Sequence, residues 1–127
     1  ITDFILKAIS NNKIDMLTDG SEERQFLNAT DCSRALHILS EKYDDIERDL
    51  EYHITSFEWI SILDIAGIIS SLIGDVAIEP SIERDTLQKN KKNTPNNHIL
   101  NYWKPTIGIT EGIQEIINKT IEQSKND

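Results

Sequence analysis

Few side chains in this sequence are placed to hold or transform a ligand. Arg24 follows the turn signal Asp19-Gly20 and leads into a segment carrying Phe26. An arginine beside a turn can present its planar fork to a phosphate or a carboxylate. It can equally pair with Glu22 or Glu23 at the surface, an arrangement worth little. The segment from Glu83 to Asn93 holds Gln88 together with Arg84, Lys89, Lys91 and Lys92, which are four of the thirteen Lys and Arg. A long polar loop of that kind can close over an anion, or can simply stand in solvent. The histidines are His37, His53 and His98, none spaced from another like metal ligands and none beside a nucleophile. They read as packing or surface groups. Cys32, near the start of a helical pattern, reads as a small buried residue. The many carboxylates form no pair whose spacing points to general acid–base work. Neither a catalytic residue nor a metal ligand is expected in this chain.

These side chains are carried by a chain of 127 residues, 38% apolar and 28% charged, enough for one domain with a modest core. The apolar run without a charge, Ile65 to Gly74, is far too short for a bilayer span. The net charge of -9 disfavours nucleic acid as a partner. A single cysteine allows no internal disulfide and fits a reducing compartment. The chain begins at Ile1 and its one Met is Met16, so the expectation is that either residues were removed or only part of a longer chain is present.

Four amphipathic helices are predicted. The first carries Phe4, Ile5, Ala8 and Ile9, with Thr2 as its cap and a stop near Asn11-Asn12. The second places Cys32, Ala35, Leu36 and Leu39 on one face, capped by Thr30 or Asp31. The third has Ser61 and Asp64 in capping-box spacing, a stripe of Ile62, Ile65, Ala66, Ile69, Leu72 and Ile73, and Gly74 as its stop. The fourth starts at Thr110 and carries Ile113, Ile116, Ile117 and Ile121. Short strands are predicted at Ile14–Leu17, Gln25–Ala29, Tyr52–Thr55 and Val76–Glu79, and Asp44–Glu51 reads as a solvated connection. The class is α+β. Regular βαβ alternation and a glycine-rich phosphate loop are both missing from the sequence.

Three stretches in order give the chain a family likeness. Leu17-Thr18-Asp19-Gly20-Ser21-Glu22-Glu23-Arg24-Gln25-Phe26-Leu27-Asn28-Ala29-Thr30-Asp31 resembles a "GDGSQxRDFVYVDD" passage before a helix ending in "RAL", here Arg34-Ala35-Leu36. Ser61-Ile62-Leu63-Asp64-Ile65-Ala66 is similar to a "SILELA" helix start. Leu100-Asn101-Tyr102-Trp103-Lys104-Pro105-Thr106-Ile107, then Thr110-Glu111-Gly112-Ile113, is similar to "LGWKPxxSLEEGI". Together they resemble the C-terminal half of extended short-chain dehydrogenases/reductases, the NAD-dependent nucleotide-sugar epimerases and dehydratases. Gln25, Asn28 and Ala29 depart from the pattern, which has Asp, Tyr or His, and Val there.

The resemblance implies that residues 1–127 form one C-terminal lobe that packs on an NAD-binding Rossmann domain outside this chain. It implies a nucleoside diphosphate sugar as ligand and places Arg24, Arg84 and Gln88 at its nucleotide and diphosphate. NAD and the Tyr-x-x-x-Lys pair would belong to the other domain, so this piece alone would be inactive. The full protein would be a cytoplasmic homodimer, with the piece monomeric. Competing expectations are a non-catalytic α+β interaction module, or a degenerate relative that folds without binding.

Overall fold

The structure is a computed structural model that describes residues 1–85 and 93–125. Helix α1 (Thr2–Asn11) leads into β1 (Lys13–Asp15), and β2 (Glu23–Arg24) precedes α2 (Ala29–Glu41). After a connection come β3 (Ile60–Ser61), α3 (Ile62–Ile73) and β4 (Ala77–Glu79), then a 3-10 turn (His98–Asn101) and α4 (Ile109–Ser124). The α+β class expected from the sequence is the class observed.

Helix α3 follows the sequence closely. Ser61 Oγ accepts the Asp64 N–H at 2.9 Å, the N-cap half of a capping box, and donates to Asp64 Oδ2 at 2.6 Å, so the return bond runs through the Ser61 hydroxyl and not its backbone N–H. Gly74 ends the helix at φ 131°, its N–H bonded to the Ser70 carbonyl. Helix α1 ends at Asn12 in the left-handed conformation, where asparagine is tolerated. Its N-cap is Ile1, not Thr2, and no side chain caps it. Helix α2 is capped by Asn28, whose side chain accepts the Thr30 N–H, so neither Thr30 nor Asp31 is the cap. The predicted face of α2 is also corrected. Leu36 is exposed, and Asp31 and Ala35 are the buried positions. Helix α4 begins at Ile109, one residue earlier than expected.

The strands are shorter than their patterns. β1 and β4, which fall within two of the predicted segments or one residue beyond, pair in parallel with Ile14 opposite Ile78. Gln25–Ala29 and Tyr52–Thr55 form no strand. Thr55 Oγ1 instead donates to Gln25 Oε1 at 2.6 Å, so side chains join these segments where a ladder was expected. The second pair is β2 with β3, antiparallel, with Arg24 opposite Ile60. Asp44–Glu51 is a largely exposed set of turns, as expected.

Two apolar clusters hold these pieces together. In the larger, Ile5 and Ala8 of α1, Ile14 of β1, Ile65, Ala66 and Ile69 of α3 and Ile113 and Ile117 of α4 meet Met16 and Val76. The smaller joins Ala35 to Ile99 and Trp103, with Leu27, Ile38, Leu39, Tyr52, Ile54 and Phe57 around it.

Gly20 sits where the turn meets the larger cluster. Its φ is 76°, and a Cβ there would run into the Met16 methyl and come within 2.9 Å of Leu63 Cβ. Gly20→Ala is therefore expected to cost about 2 kcal/mol or more, from strain and overpacking together. Urea unfolding at neutral pH measures it, and a midpoint equal to wild type would refute the assignment.

Candidate functional site

The chain from Thr18 to Arg24 is held on two sides. Leu63 donates to the Gly20 carbonyl and Ile62 to the Glu22 carbonyl, both at 3.0 Å, which ties the turn to the start of α3. On the other side Ser81 N–H bonds to the Thr18 carbonyl and Asp19 N–H to that of Glu83. This second seam lays residues 81–85 alongside the turn and brings Arg84 and Arg24 to neighbouring positions.

Each arginine meets an aspartate there. Arg24 Nη1 donates to the Glu23 carbonyl at 2.8 Å, and Nη2 pairs with Asp85 Oδ2 at 3.0 Å. The pairing considered from sequence, with Glu22 or Glu23, gives way to Asp85, which lies far along the chain. Arg84 Nε donates to Asp19 Oδ2 at 3.0 Å, with the Arg84 side chain 82% exposed. Hydrogen bonds from Ser21 and the Arg84 guanidinium hold the Asp19 carboxyl below the ordinary carboxylate range, against a smaller upward push from burial. Gln88 lies outside the described residues. Leu17 and Ile82, 87% and 98% exposed, flank the same seam.

The histidines behave as packing and surface groups. His37 is exposed and near Glu41, His53 Nδ1 accepts the Asn96 N–H at 3.0 Å, and His98 meets the Tyr52 ring edge-on. No group of residues suited to holding a metal ion occurs among the described residues. None of their helices is long and apolar enough to cross a membrane.

The sequence reading missed Asp31. Its carboxylate is wholly buried on α2, accepts three hydrogen bonds and forms one ion pair. Oδ2 takes the Thr106 and Ile107 N–H groups, each at 2.8 Å, and Oδ1 takes the Thr106 hydroxyl at 3.0 Å and Arg34 Nη2 at 3.1 Å. Arg34 also donates to the Lys104 carbonyl at 2.9 Å and to Thr106 Oγ1 at 3.0 Å. The result is a clamp on the loop that enters α4. A sequence signal was present: Asp31 lies four residues before Ala35, on the inward stripe. The clamped loop is one wall of a cavity of about 280 Å³ whose other lining includes Phe26, Ser56, Glu58 and Trp59. Phe57, in that wall's turn, has φ 62°.

No family model matches this sequence, and no curated protein sequence matches it significantly. Solved structures do match. An enzyme of Bordetella bronchiseptica, WbmF in complex with NADH, superposes with a TM-score of 0.76 at 20% identity, over 97% of this chain and 36% of that one. The epimerase Mth375 of Methanothermobacter thermautotrophicus gives 0.73 at 20% identity, over 97% and 37%. The UDP-N-acetylglucosamine 4-epimerase of Methanobrevibacter ruminantium, in complex with UDP-N-acetylmuramic acid, gives 0.72 at 18% identity, over 97% and 39%. The chain has the fold of part of an NAD-dependent epimerase or dehydratase. It spans less than two fifths of the length of each of the three structures described.

Burial alone would push the Asp31 carboxyl up. The Ile107 and Thr106 N–H groups, the Thr106 hydroxyl and Arg34 outweigh that and hold it below the ordinary range. A carboxyl lowered on folding contributes stability above its unfolded pKa and loses it as pH falls through the folded value. Asp31→Asn is expected to cost about 2 kcal/mol at pH 7, the scale of hydrogen bonds to a buried charge. The gap to wild type should narrow as pH falls below about 4, where the carboxyl of the unfolded chain begins to protonate, and close as pH falls through the lower folded value. Urea unfolding at both pH values measures this, and a gap independent of pH would refute the clamp.

Proposed function

We propose that this chain is the sugar-nucleotide-binding lobe of an NAD-dependent epimerase or dehydratase. The observation that supports the reading is the seam between residues 18–19 and 81–85, which lays the segment carrying Arg84 alongside the turn before Arg24, each arginine meeting an aspartate across it. Two guanidinium groups so placed suit a diphosphate, because each can give a forked pair of donors to a phosphate group. The fold likeness supports the same reading, since neighbours of this fold include a UDP-N-acetylglucosamine 4-epimerase and a dTDP-glucose 4,6-dehydratase.

The chain's own residues orient and bind. Arg24, fixed at the β2–β3 pair, would hold one phosphate, and Arg84 with Gln88 the other. Leu17 and Ile82 offer apolar surface beside them for the ligand or for the rest of the protein. Holding the nucleotide at a fixed place positions the sugar for the reaction. NAD would supply reversible hydride chemistry. The described residues offer no glycine-rich turn to cradle its pyrophosphate, so its binding and the Tyr-x-x-x-Lys pair fall to a Rossmann domain outside this chain. In this reading the whole protein is a cytoplasmic homodimer, and this lobe alone is inactive.

Replacing Arg24 by Ala in the intact protein is expected to raise the Kd for its nucleoside diphosphate sugar about tenfold or more, since a hydrogen-bonded charge pair is worth about a decade in affinity. Calorimetric titration with uridine, guanosine and thymidine diphosphate sugars reads it. Equal affinities for both proteins, or no binding by wild type, would refute the reading.

A further inference from the structure

Among the described residues, the arginines assigned to the diphosphate stand among carboxylates. Residues 19–24 and 83–85 contain two arginines and five carboxylates, Asp19, Glu22, Glu23, Glu83 and Asp85. Such a field repels a diphosphate until some of it is answered. The contacts show where the answer lies. Asp85 is 3.0 Å from Arg24 Nη2 and Asp19 is 3.0 Å from Arg84 Nε, so each arginine is paired with a carboxylate. The arginines remain partly open, with side chains 43% and 82% exposed, and a ligand can reach them.

We propose that Asp85 and Asp19 are displaceable counter-ions of this site. Each holds one guanidinium in place while the site is empty, and each is exchanged for a phosphate when the substrate binds. The inference rests on the assignment of Arg24 and Arg84 to the diphosphate. The exchange has a direction. A phosphate that takes over the Arg24 fork leaves the Asp85 carboxylate beside a second anion. That repulsion weakens binding and hastens release of the nucleotide product. The device also favours ligands with two linked phosphate groups, because both ion pairs must be replaced together for the full gain. A single phosphate displaces one carboxylate and stays beside the other.

The test uses the intact protein, with inorganic pyrophosphate and inorganic phosphate as probes that need no knowledge of the base or sugar. Asp85→Asn is expected to tighten pyrophosphate binding about fivefold, the scale of a partly exposed ion pair. Asp85→Glu, which keeps the charge, should leave the affinity near wild type. Asp19→Asn is an independent variant at the second pair and should tighten binding in the same sense. The preference for pyrophosphate over phosphate should fall in the double variant Asp19→Asn/Asp85→Asn. Far-ultraviolet circular dichroism confirms that each variant is folded. If Arg24→Ala weakens pyrophosphate binding while both asparagine variants leave it unchanged or weaker, the counter-ion proposal fails and the arginine assignment stands. If Arg24→Ala has no effect, the assignment falls and the proposal falls with it.

Discussion

A buried negative charge organises this molecule. Asp31 has no exposure to solvent, and a carboxylate in that position is tolerated only when donors surround it. The donors come from Thr106 and Ile107, distant in sequence, and from Arg34 one turn along the same helix. Satisfying Asp31 therefore fixes where the loop before α4 must run. It also couples the two apolar clusters. Asp31 lies one turn from Ala35 of the smaller cluster, and the clamped loop opens into the helix that sends Ile113 and Ile117 into the larger. Gly108 supplies no capping side chain to α4, so the clamp does what a cap does elsewhere and sets the chain's entry angle.

The second constraint is electrostatic and acts at the surface. The protein carries a net charge of -9, and among the described residues each arginine of the candidate site is met by a carboxylate. Local pairing resolves that tension. The guanidinium groups are kept in register by carboxylates, and the backbone seam from Thr18 to Glu83 keeps those carboxylates beside them. Shape and hydrogen-bond geometry, more than overall charge, then determine which anions gain by entering.

Much of the fold was legible in the sequence where one local signal dominated. Ser61, Asp64 and Gly74 define α3 by capping chemistry and a glycine stop, which need no partner from elsewhere. β1 and β4 were legible as short strand candidates, though their parallel pairing was not. Other features depended on distant residues. Leu36 lies on the apolar face by its spacing, yet the position that turns inward is Asp31, because a loop about seventy residues on brings the donors that make burial possible. The cap of α2 moved to Asn28, one of the three departures from the family pattern. Residues 25–29 alternate like a strand, but residues 25–28 form no ladder and Ala29 opens α2. For the site, the types and approximate neighbourhood of Arg24 and Arg84 were readable. Their aspartate partners were not, since both pairs cross more than sixty residues of sequence.

The parallel pairing of β1 with β4 has a kinetic consequence. Ile14 meets Ile78, so a loop of more than sixty residues, containing α2 and α3, must be closed before this ladder can form. Closing a loop of that length carries an entropic cost that few hydrogen bonds of a three-residue ladder can offset early on. The helices and their local turns can form in microseconds, while the strand pair waits for the apolar contacts of α1 and α3 to draw its ends together. During synthesis β1 leaves the ribosome long before its partner. β1 then lacks its β4 partner until the chain has grown past Glu79.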